Sequence, residues 1–166
     1  MTDPFPPPDA SASSATALCR ALRELVRAQA RRDRARAAAH GLTTAGAHAL
    51  EVLAERGGVS LRALAAALCV DDSTASRTVG LLEDRGYLVR SADPRDGRAI
   101  RVALTAPGRA LEARLRDDGV RDAEAALAAF AAAEREAGVA FLGRLAAALA
   151  DPPGEVDGGI DRGEDA

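Results

Sequence analysis

The feature that most constrains this chain is a change of hydrophobic period after Gly86. Before it, apolar residues recur every three or four positions, as on one face of a helix. After it the side chains alternate between two sides, with Leu88 and Arg90 on one side and their neighbours on the other. The alternation returns over residues 100–104. Between the two stretches stands DPRDGR, residues 93–98, whose proline and glycine are typical of a tight turn. The pattern predicts a β-hairpin with a charged tip.

Six helices are predicted around this hairpin, four before it and two after it. Helical spacing, capping residues and glycine stops place them at residues 15–39, 43 or 44 to 56, 61–68, 72–85, 106 to about 130, and 133–150. The predicted caps are Thr43 or Thr44, Ser60, Asp71 and Thr105. Val59 is predicted as a short extended link. In the fourth helix, Ala75, Val79 and Leu82 are predicted to face the core.

The composition favours helices packed through small aliphatic side chains. Hydrophobic residues make up 48% of the chain, but it has only three Phe, one Tyr and no Trp. The net charge of −3 does not by itself indicate a polyanionic partner. Charge is unevenly placed, however: residues 18–40 hold seven arginines against two acids, and residues 86–109 hold five against two. Local basic stretches of this kind are what a polyanion contacts.

The two ends of the chain differ in composition from its middle. Residues 1–14 are rich in Pro and Ser, and residues 151–166 are acidic and rich in Gly and Pro, so both are predicted to be disordered tails of a single domain at 15–150. No apolar run approaches the length of a membrane span and no leader pattern is present, so we expect a cytoplasmic protein without membrane contact. Two cysteines, Cys19 and Cys69, are too few for a disulfide framework.

Helices in this order, followed at once by a hairpin, form a winged helix-turn-helix. The sequence resembles the MarR family of bacterial transcription regulators, named for multiple antibiotic resistance, over about residues 18–149. The resemblance is carried by GLTTAGAHALEVL (41–53), VSLRALAAALCVDDSTASRTVGLLEDRGYLVR (59–90), DPRDGRAIRVALT (93–105) and PGRALEA (107–113). The chain departs from the family at Ala47 and Ala49, where larger residues are usual, and at Gly80, a position that is often polar.

The resemblance implies a mainly α fold with a small β-hairpin wing. A DNA-binding lobe would occupy 42–105, and helices at 15–40 and 106–150 would join two copies into an obligate homodimer. Such a dimer is expected to bind a pseudo-palindromic operator in double-stranded DNA as a repressor.

The fourth helix is expected to enter the major groove. The candidate DNA-contacting residues on its exposed face are Ser73, Thr74, Ser76 and Arg77. Hydroxyls reach either a phosphate or a base edge and specify weakly, whereas Arg77 suits a guanine edge. A salt bridge from Arg77 to an acid of the hairpin is the alternative.

The hairpin tip is expected to reach the minor groove, where arginine suits the narrow, negative channel. The candidates there are Arg95, Asp96, Gly97 and Arg98. We expect Arg98 to contact DNA, Asp96 to hold a neighbouring arginine and Gly97 to allow the turn, although Arg95 and Arg98 can exchange roles. A winged-helix interaction module without DNA binding is the competing function, and a charged turn that only aids solubility is the simplest alternative.

Release from DNA has two candidate mechanisms. The first is a small aromatic or anionic ligand, with Arg27, Ala47 and His48 as candidate pocket residues. The second is oxidation of Cys19, whose place in the first helix is similar to that of the sensing cysteine in the hydroperoxide-responsive branch of the family. Asp33 stands where that branch is expected to place a tyrosine, which favours the ligand. Cys69 is expected to be a small buried hydrophobe.

Other chemistry is not indicated. The two histidines and two cysteines do not have metal-ligand spacing, and G-x-S-x-G, P-loop and G-x-G-x-x-G patterns are absent from the sequence. We therefore expect no enzyme activity, no metal and no cofactor. His40 is expected at a helix C-terminus, where a positive charge is favoured.

Overall fold

The fold is described from a computed structural model, which covers residues 13–92 and 100–150. The predictions for both tails and for Arg95, Asp96, Gly97 and Arg98 lie outside the described residues, except that Ser13 and Ser14, assigned to the N-terminal tail, are ordered. Ser13 caps the first helix through its hydroxyl, which accepts a hydrogen bond from the backbone N–H of Thr16.

The described chain contains six helices and three strands in an order that confirms the predicted arrangement. Their bounds are α1 Ser14–Ala39, α2 Thr44–Arg56, β1 Val59–Ser60, α3 Leu61–Ala67, α4 Asp72–Asp84, β2 Leu88–Ala92, β3 Ile100–Leu104, α5 Ala106–Leu127 and α6 Ala132–Ala150. The helix bounds differ from the sequence-based ones by at most three residues. The chain divides into two compact units, Met1–Arg121 and Asp122–Ala166.

Local capping sets where the helices of the first unit begin. The side chains of Thr43, Ser60 and Asp71 each accept a hydrogen bond from a backbone N–H three residues later. Helices α2 and α4 are followed by glycines at positive φ, Gly57 at +71° and Gly86 at +75°, which a residue with a Cβ adopts less readily. The starts of α2, α3 and α4 were therefore predictable from the sequence.

The sheet has one strand more than the sequence predicts. β1 pairs antiparallel with β3, so that Val59 lies opposite Val102, and the strand order is β1-β3-β2. The extended conformation predicted at Val59 is confirmed. Its pairing with β3 was not predicted, because two residues are too few to show an alternating pattern and the partner strand lies more than 40 positions away.

The core of the first unit lies between the helices and the inner face of this sheet. Its largest fully buried side chains are Leu50, Leu53, Leu64, Leu111, Val79 and Val102. Ala75, Val79 and Leu82 are all buried, which confirms the predicted inner face of α4. Burial is what fixes the rotation of α4 about its axis, and so decides which residues that helix presents outward.

In the second unit, α6 has no buried residue. Phe141, Leu142 and Leu149 are each 46–67% exposed. Helical spacing places these three residues on one stripe with Gly138 and Leu145, which are less exposed. None of the described helices is long and apolar enough to cross a membrane.

Candidate nucleic-acid interface

The start of α4 is organised by one carboxylate. Asp71 Oδ1 accepts from the Thr74 backbone N–H at 2.8 Å and from the Ser73 hydroxyl at 2.5 Å, while Oδ2 accepts from the Thr74 hydroxyl at 2.8 Å. These bonds, the one from Ser73 foremost, hold the pKa of the Asp71 carboxyl well below its usual range. Asp71 therefore stays ionised and caps the helix, as predicted.

The same bonds define what Ser73 and Thr74 can offer a ligand. Each hydroxyl has one proton, and both protons are directed at Asp71. In this arrangement the two oxygens remain available only as acceptors, which suits the amino edge of a base and not a phosphate. The exposed position of Ser73 agrees with the prediction, but its donor is already engaged.

Arg77 is exposed on the outer face of α4 and is held loosely. Its Nε donates to the Ser73 carbonyl and its Nη2 to the Thr74 hydroxyl, both at 3.4 Å, near the limit of a hydrogen bond. It has no acidic partner within residues 13–92 and 100–150; the hairpin acids Asp93 and Asp96 of the salt-bridge alternative lie outside them. The guanidinium is therefore free to exchange these weak contacts for a better acceptor.

A second arginine connects α4 to the hairpin. Arg90, in the middle of β2, donates from Nη2 to the carbonyl of Ser76 at 3.3 Å. Its Nε lies 3.2 Å from Glu83 Oε2, without the alignment of a hydrogen bond, since this buried Nε has no hydrogen-bond partner. The sequence pattern predicts a strand position for Arg90 but no role, because alternation shows a side and not a partner.

The base of the hairpin, where β2 begins and β3 ends, is fixed to α5. Thr105 donates from its hydroxyl to the Gly86 carbonyl at 2.7 Å, and its backbone N–H donates to the Tyr87 carbonyl at 3.0 Å. The Gly108 N–H donates in turn to Thr105 Oγ1 at 3.1 Å. A Cβ at Gly108 would lie only 2.1 Å from the Tyr87 oxygen. The segment LTAPGR, residues 104–109, therefore joins the hairpin to α5, and its glycine permits a close backbone approach.

The end of α1 is fixed to α5 by a hydrogen bond between side chains. His40, the C-cap residue of α1, places Nε2 2.7 Å from Asp118 Oδ2. The hydrogen bond from His40, and secondarily the charge of Arg121, lower the pKa of the Asp118 carboxyl. The predicted position of His40 is confirmed, and its partner is a residue that the sequence did not indicate.

The candidate ligand-pocket residues do not line the groove found among the described residues of the first unit. Arg27 and His48 are exposed, and Ala47 packs against the core. A groove of about 50 Å³ lies elsewhere, between the α1–α2 turn and α4, where Gly46, Thr78 and Arg85 contribute to its wall. That volume is well below the roughly 300 Å³ at which pockets for small molecules begin. The three residues stay a prediction.

The two thiols are both exposed. For Cys69 this contradicts the sequence-based expectation of a buried hydrophobe. Cys69 follows the C-cap Leu68 and adopts a left-handed φ of +53°, so it lies beyond the end of α3 and the helical spacing that predicted its burial no longer applies. Asp33 hydrogen-bonds Gln29 and Arg36 and lies about 21 Å along α1 from Cys19, so within one chain it does not adjoin that thiol.

Comparison with known proteins identifies this winged architecture. A sequence profile of the MarR family matches residues 40–99, which run from the end of α1 through the hairpin. The chain belongs to the MarR family. Members of this family are transcription regulators and not enzymes, which agrees with the expectation of a non-enzymatic protein.

Individual relatives extend the comparison. The chain is 34% identical over 107 residues to a protein of Thauera aromatica that carries the name of a putative transcriptional regulatory protein for the hcr operon; the match spans 64% of each chain. It is 26% identical to the PcaV transcriptional regulator of Streptomyces coelicolor, solved with its natural ligand, with a TM-score of 0.61 over 85% of this chain and 99% of that one. A MarR family protein of Bacillus stearothermophilus, 21% identical, shares the fold with a TM-score of 0.77 over 83% of this chain and 96% of that one.

Proposed function

We propose that this MarR family chain is a sequence-specific regulator of transcription that binds double-stranded DNA through α4 and its wing. The observation that carries the proposal is Arg77, an exposed guanidinium on the outward face of a capped, well-anchored helix, with only two weak contacts to its own helix. An arginine presented in this way can donate two parallel hydrogen bonds to O6 and N7 of guanine.

The side chains near Arg77 and those of the wing would make different kinds of contact with DNA. Ser73 and Thr74 offer acceptors, since their protons are directed at Asp71, and Ser76 offers a hydroxyl nearer the middle of the helix. Residues 93–98 carry Arg95 and Arg98, which supply the minor-groove contact in this proposal, with Asp96 and Gly97 shaping the turn. Phosphate contacts from these arginines supply affinity, and base contacts from α4 supply specificity.

The proposed active form is a homodimer joined by the terminal helices, 15–40 and 106–150. Both compact units carry exposed apolar side chains: Leu25 and Val26 of α1 are 50% and 65% exposed, and Phe141 and Leu142 of α6 are about half exposed. Apolar helix faces of this kind are covered by a partner in stable proteins. Two recognition helices would then read half-sites about 10 base pairs apart.

Release from the operator is proposed to follow the binding of a small aromatic or anionic molecule, and the operator-bound state is proposed to repress. The relative PcaV was solved with its natural ligand, which supports a ligand over other signals. Oxidation of Cys19 remains the second candidate because its thiol is exposed on α1. Treating the DNA complex with an organic hydroperoxide separates the two: release from wild type, but not from Cys19→Ser, would establish the thiol mechanism.

The DNA-binding proposal is tested by fluorescence anisotropy with a duplex from the promoter of the protein's own gene and a random duplex of equal length. Arg77→Ala is expected to lower the preference for the promoter duplex by about 1–3 kcal/mol. Arg98→Ala is expected to weaken binding to both duplexes and to reduce the slope of log K against log salt by about 0.9. Arg114→Ala, which removes an exposed arginine of α5, is the control. Failure of the wild type to bind either duplex at low salt would refute the proposal.

A further inference from the structure

We propose that Arg90 is a positioning residue that fixes the wing to the recognition helix, so that the two DNA-reading elements act as one rigid piece. The inference deepens the proposed DNA-binding function and rests on it. Arg90 itself need not touch DNA: its role is carried by contacts to Ser76 and Glu83 within the protein.

The geometry places one guanidinium across two turns of α4. Nη2 donates to the Ser76 carbonyl at 3.3 Å, and Nε lies 3.2 Å from Glu83 Oε2. Ser76 and Glu83 are seven residues apart, so they lie on the same face of the helix about 10 Å from each other along its axis. A side chain attached to both ends of this stretch restrains the tilt of the strand against the helix, and not only its distance.

Gly80 lies between these two contact points and explains how the guanidinium fits. A Cβ at Gly80 would lie 3.9 Å from Arg90 Nη2, an ordinary contact distance. Alanine is thus accommodated, whereas a longer side chain at this position would compete with the guanidinium for the same space. The small size of Gly80 therefore fits the place that Arg90 occupies.

The restraint is needed because the direct link between the two elements is short and turns sharply. Only Arg85, Gly86 and Tyr87 join α4 to β2, and Gly86 has a φ of +75°. Downstream, β2 leads from Arg90 to the tip arginines. Upstream, Ser76 stands next to Arg77. A change in the angle between strand and helix would therefore move the tip relative to Arg77, and the two could no longer reach adjacent grooves together.

If Arg90 has this role, neutralising Glu83 should change the affinity for DNA in the opposite direction from that expected of charge alone. Glu83 is an acid on a helix that approaches a polyanion, so removing its charge should strengthen DNA binding if only electrostatics mattered. If Glu83 holds Arg90 in place, removing its charge should weaken binding. Asp84, the next residue, is exposed and makes no contact with a charged partner within the described residues, so Asp84→Asn reproduces the charge change without the positioning effect.

The experiment compares Glu83→Gln, Asp84→Asn and Arg90→Lys in the full-length protein, by anisotropy on the promoter duplex and on a random duplex over a salt series. We expect Glu83→Gln to weaken promoter binding by about two- to fivefold, as loss of one partly exposed ion pair would, while Asp84→Asn leaves it unchanged or stronger. Arg90→Lys keeps the charge but not the planar fork, so we expect promoter affinity to fall at an unchanged salt slope. The ratio of promoter to random binding should fall in both Glu83→Gln and Arg90→Lys, a readout that reduced stability alone would not move.

Two results would overturn the inference. One is Glu83→Gln binding the promoter duplex as tightly as Asp84→Asn. The other is an Arg90→Gln variant whose salt slope falls by about 0.9 while Glu83→Gln binds more tightly, which would make Arg90 a phosphate contact. If the wild type binds neither duplex, the proposed function fails and this inference with it; if the wild type binds and only these variants contradict expectation, the inference alone fails.

Discussion

Replacing Gly108 with alanine tests the joint between the wing and α5. A Cβ built at this position lies 2.1 Å from the Tyr87 carbonyl oxygen and 3.0 Å from its carbon. Real Cβ contacts do not fall below about 3.0 Å, so the backbone at Tyr87 has to retreat by about 0.9 Å or α5 has to move. The obstacle is main chain and cannot rotate aside as a side chain would.

The magnitude follows from what that retreat disturbs. Overpacking a tight site costs about 1–3 kcal/mol. Displacing Tyr87 also weakens the 3.0 Å hydrogen bond from the Thr105 N–H, at about 0.5–1.5 kcal/mol. Alanine returns up to about 1 kcal/mol as a better helix former than glycine. We therefore expect Gly108→Ala to lower the free energy of unfolding by about 2–3 kcal/mol.

Urea unfolding followed by circular dichroism measures this change, at one fixed protein concentration because a dimer's stability depends on it. With a slope of about 2 kcal/mol per molar urea, the midpoint should fall by about 1–1.5 M. Gly80→Ala is the matched control: it also replaces a helical glycine, but its Cβ meets nothing closer than 3.9 Å, so its midpoint should stay or rise slightly. If Gly108→Ala unfolds at the same urea concentration as the wild type, the joint is not a close backbone approach and the reasoning is wrong.

Two further substitutions and one titration probe the contacts around the interface. Thr105→Val removes the cap of α5 and its bond to the hairpin, and should cost about 1–2 kcal/mol in the same urea assay; an unchanged midpoint would count against the joint. Asp118→Asn should lower the free energy of unfolding at neutral pH and remove a pH dependence of the wild type. The pKa of the Asp118 carboxyl is lowered in the folded state. Its stabilising contribution is therefore present above the ordinary pKa of aspartate and is lost as the pH falls through the lowered pKa of the folded state. If the variant and wild type show the same acid unfolding, the pair with His40 contributes nothing. The pKa of Asp71 is also lowered, chiefly by the Ser73 hydroxyl, so the Asp71 carboxyl signal in an NMR titration should stay that of the ionised form below pH 3.8; a midpoint at or above that value would contradict the capping geometry.

Local interactions are what the sequence could determine by itself. The caps Thr43, Ser60 and Asp71 each bond a backbone N–H three residues away, so the pattern and its consequence lie within one helical turn. The spacing of hydrophobic residues likewise determines the buried face of α4 and indicates the hairpin, since the direction of each side chain follows from the local backbone. For the same reason, helical spacing is enough to assign Arg77 to the outer face of its helix.

Contacts between distant residues were decided only by the tertiary structure. The bonds of Arg90 to Ser76, of His40 to Asp118 and of Thr105 to Gly86 join residues 14, 78 and 19 positions apart, and no spacing rule connects such pairs. β1 was missed for the same reason, because a two-residue strand is defined by its partner β3 and not by its own alternation. Gly108 shows most plainly what the sequence leaves open. A glycine is compatible with many backbone conformations. The reason for a glycine at this position is the close Tyr87 carbonyl, which only the folded chain brings near it.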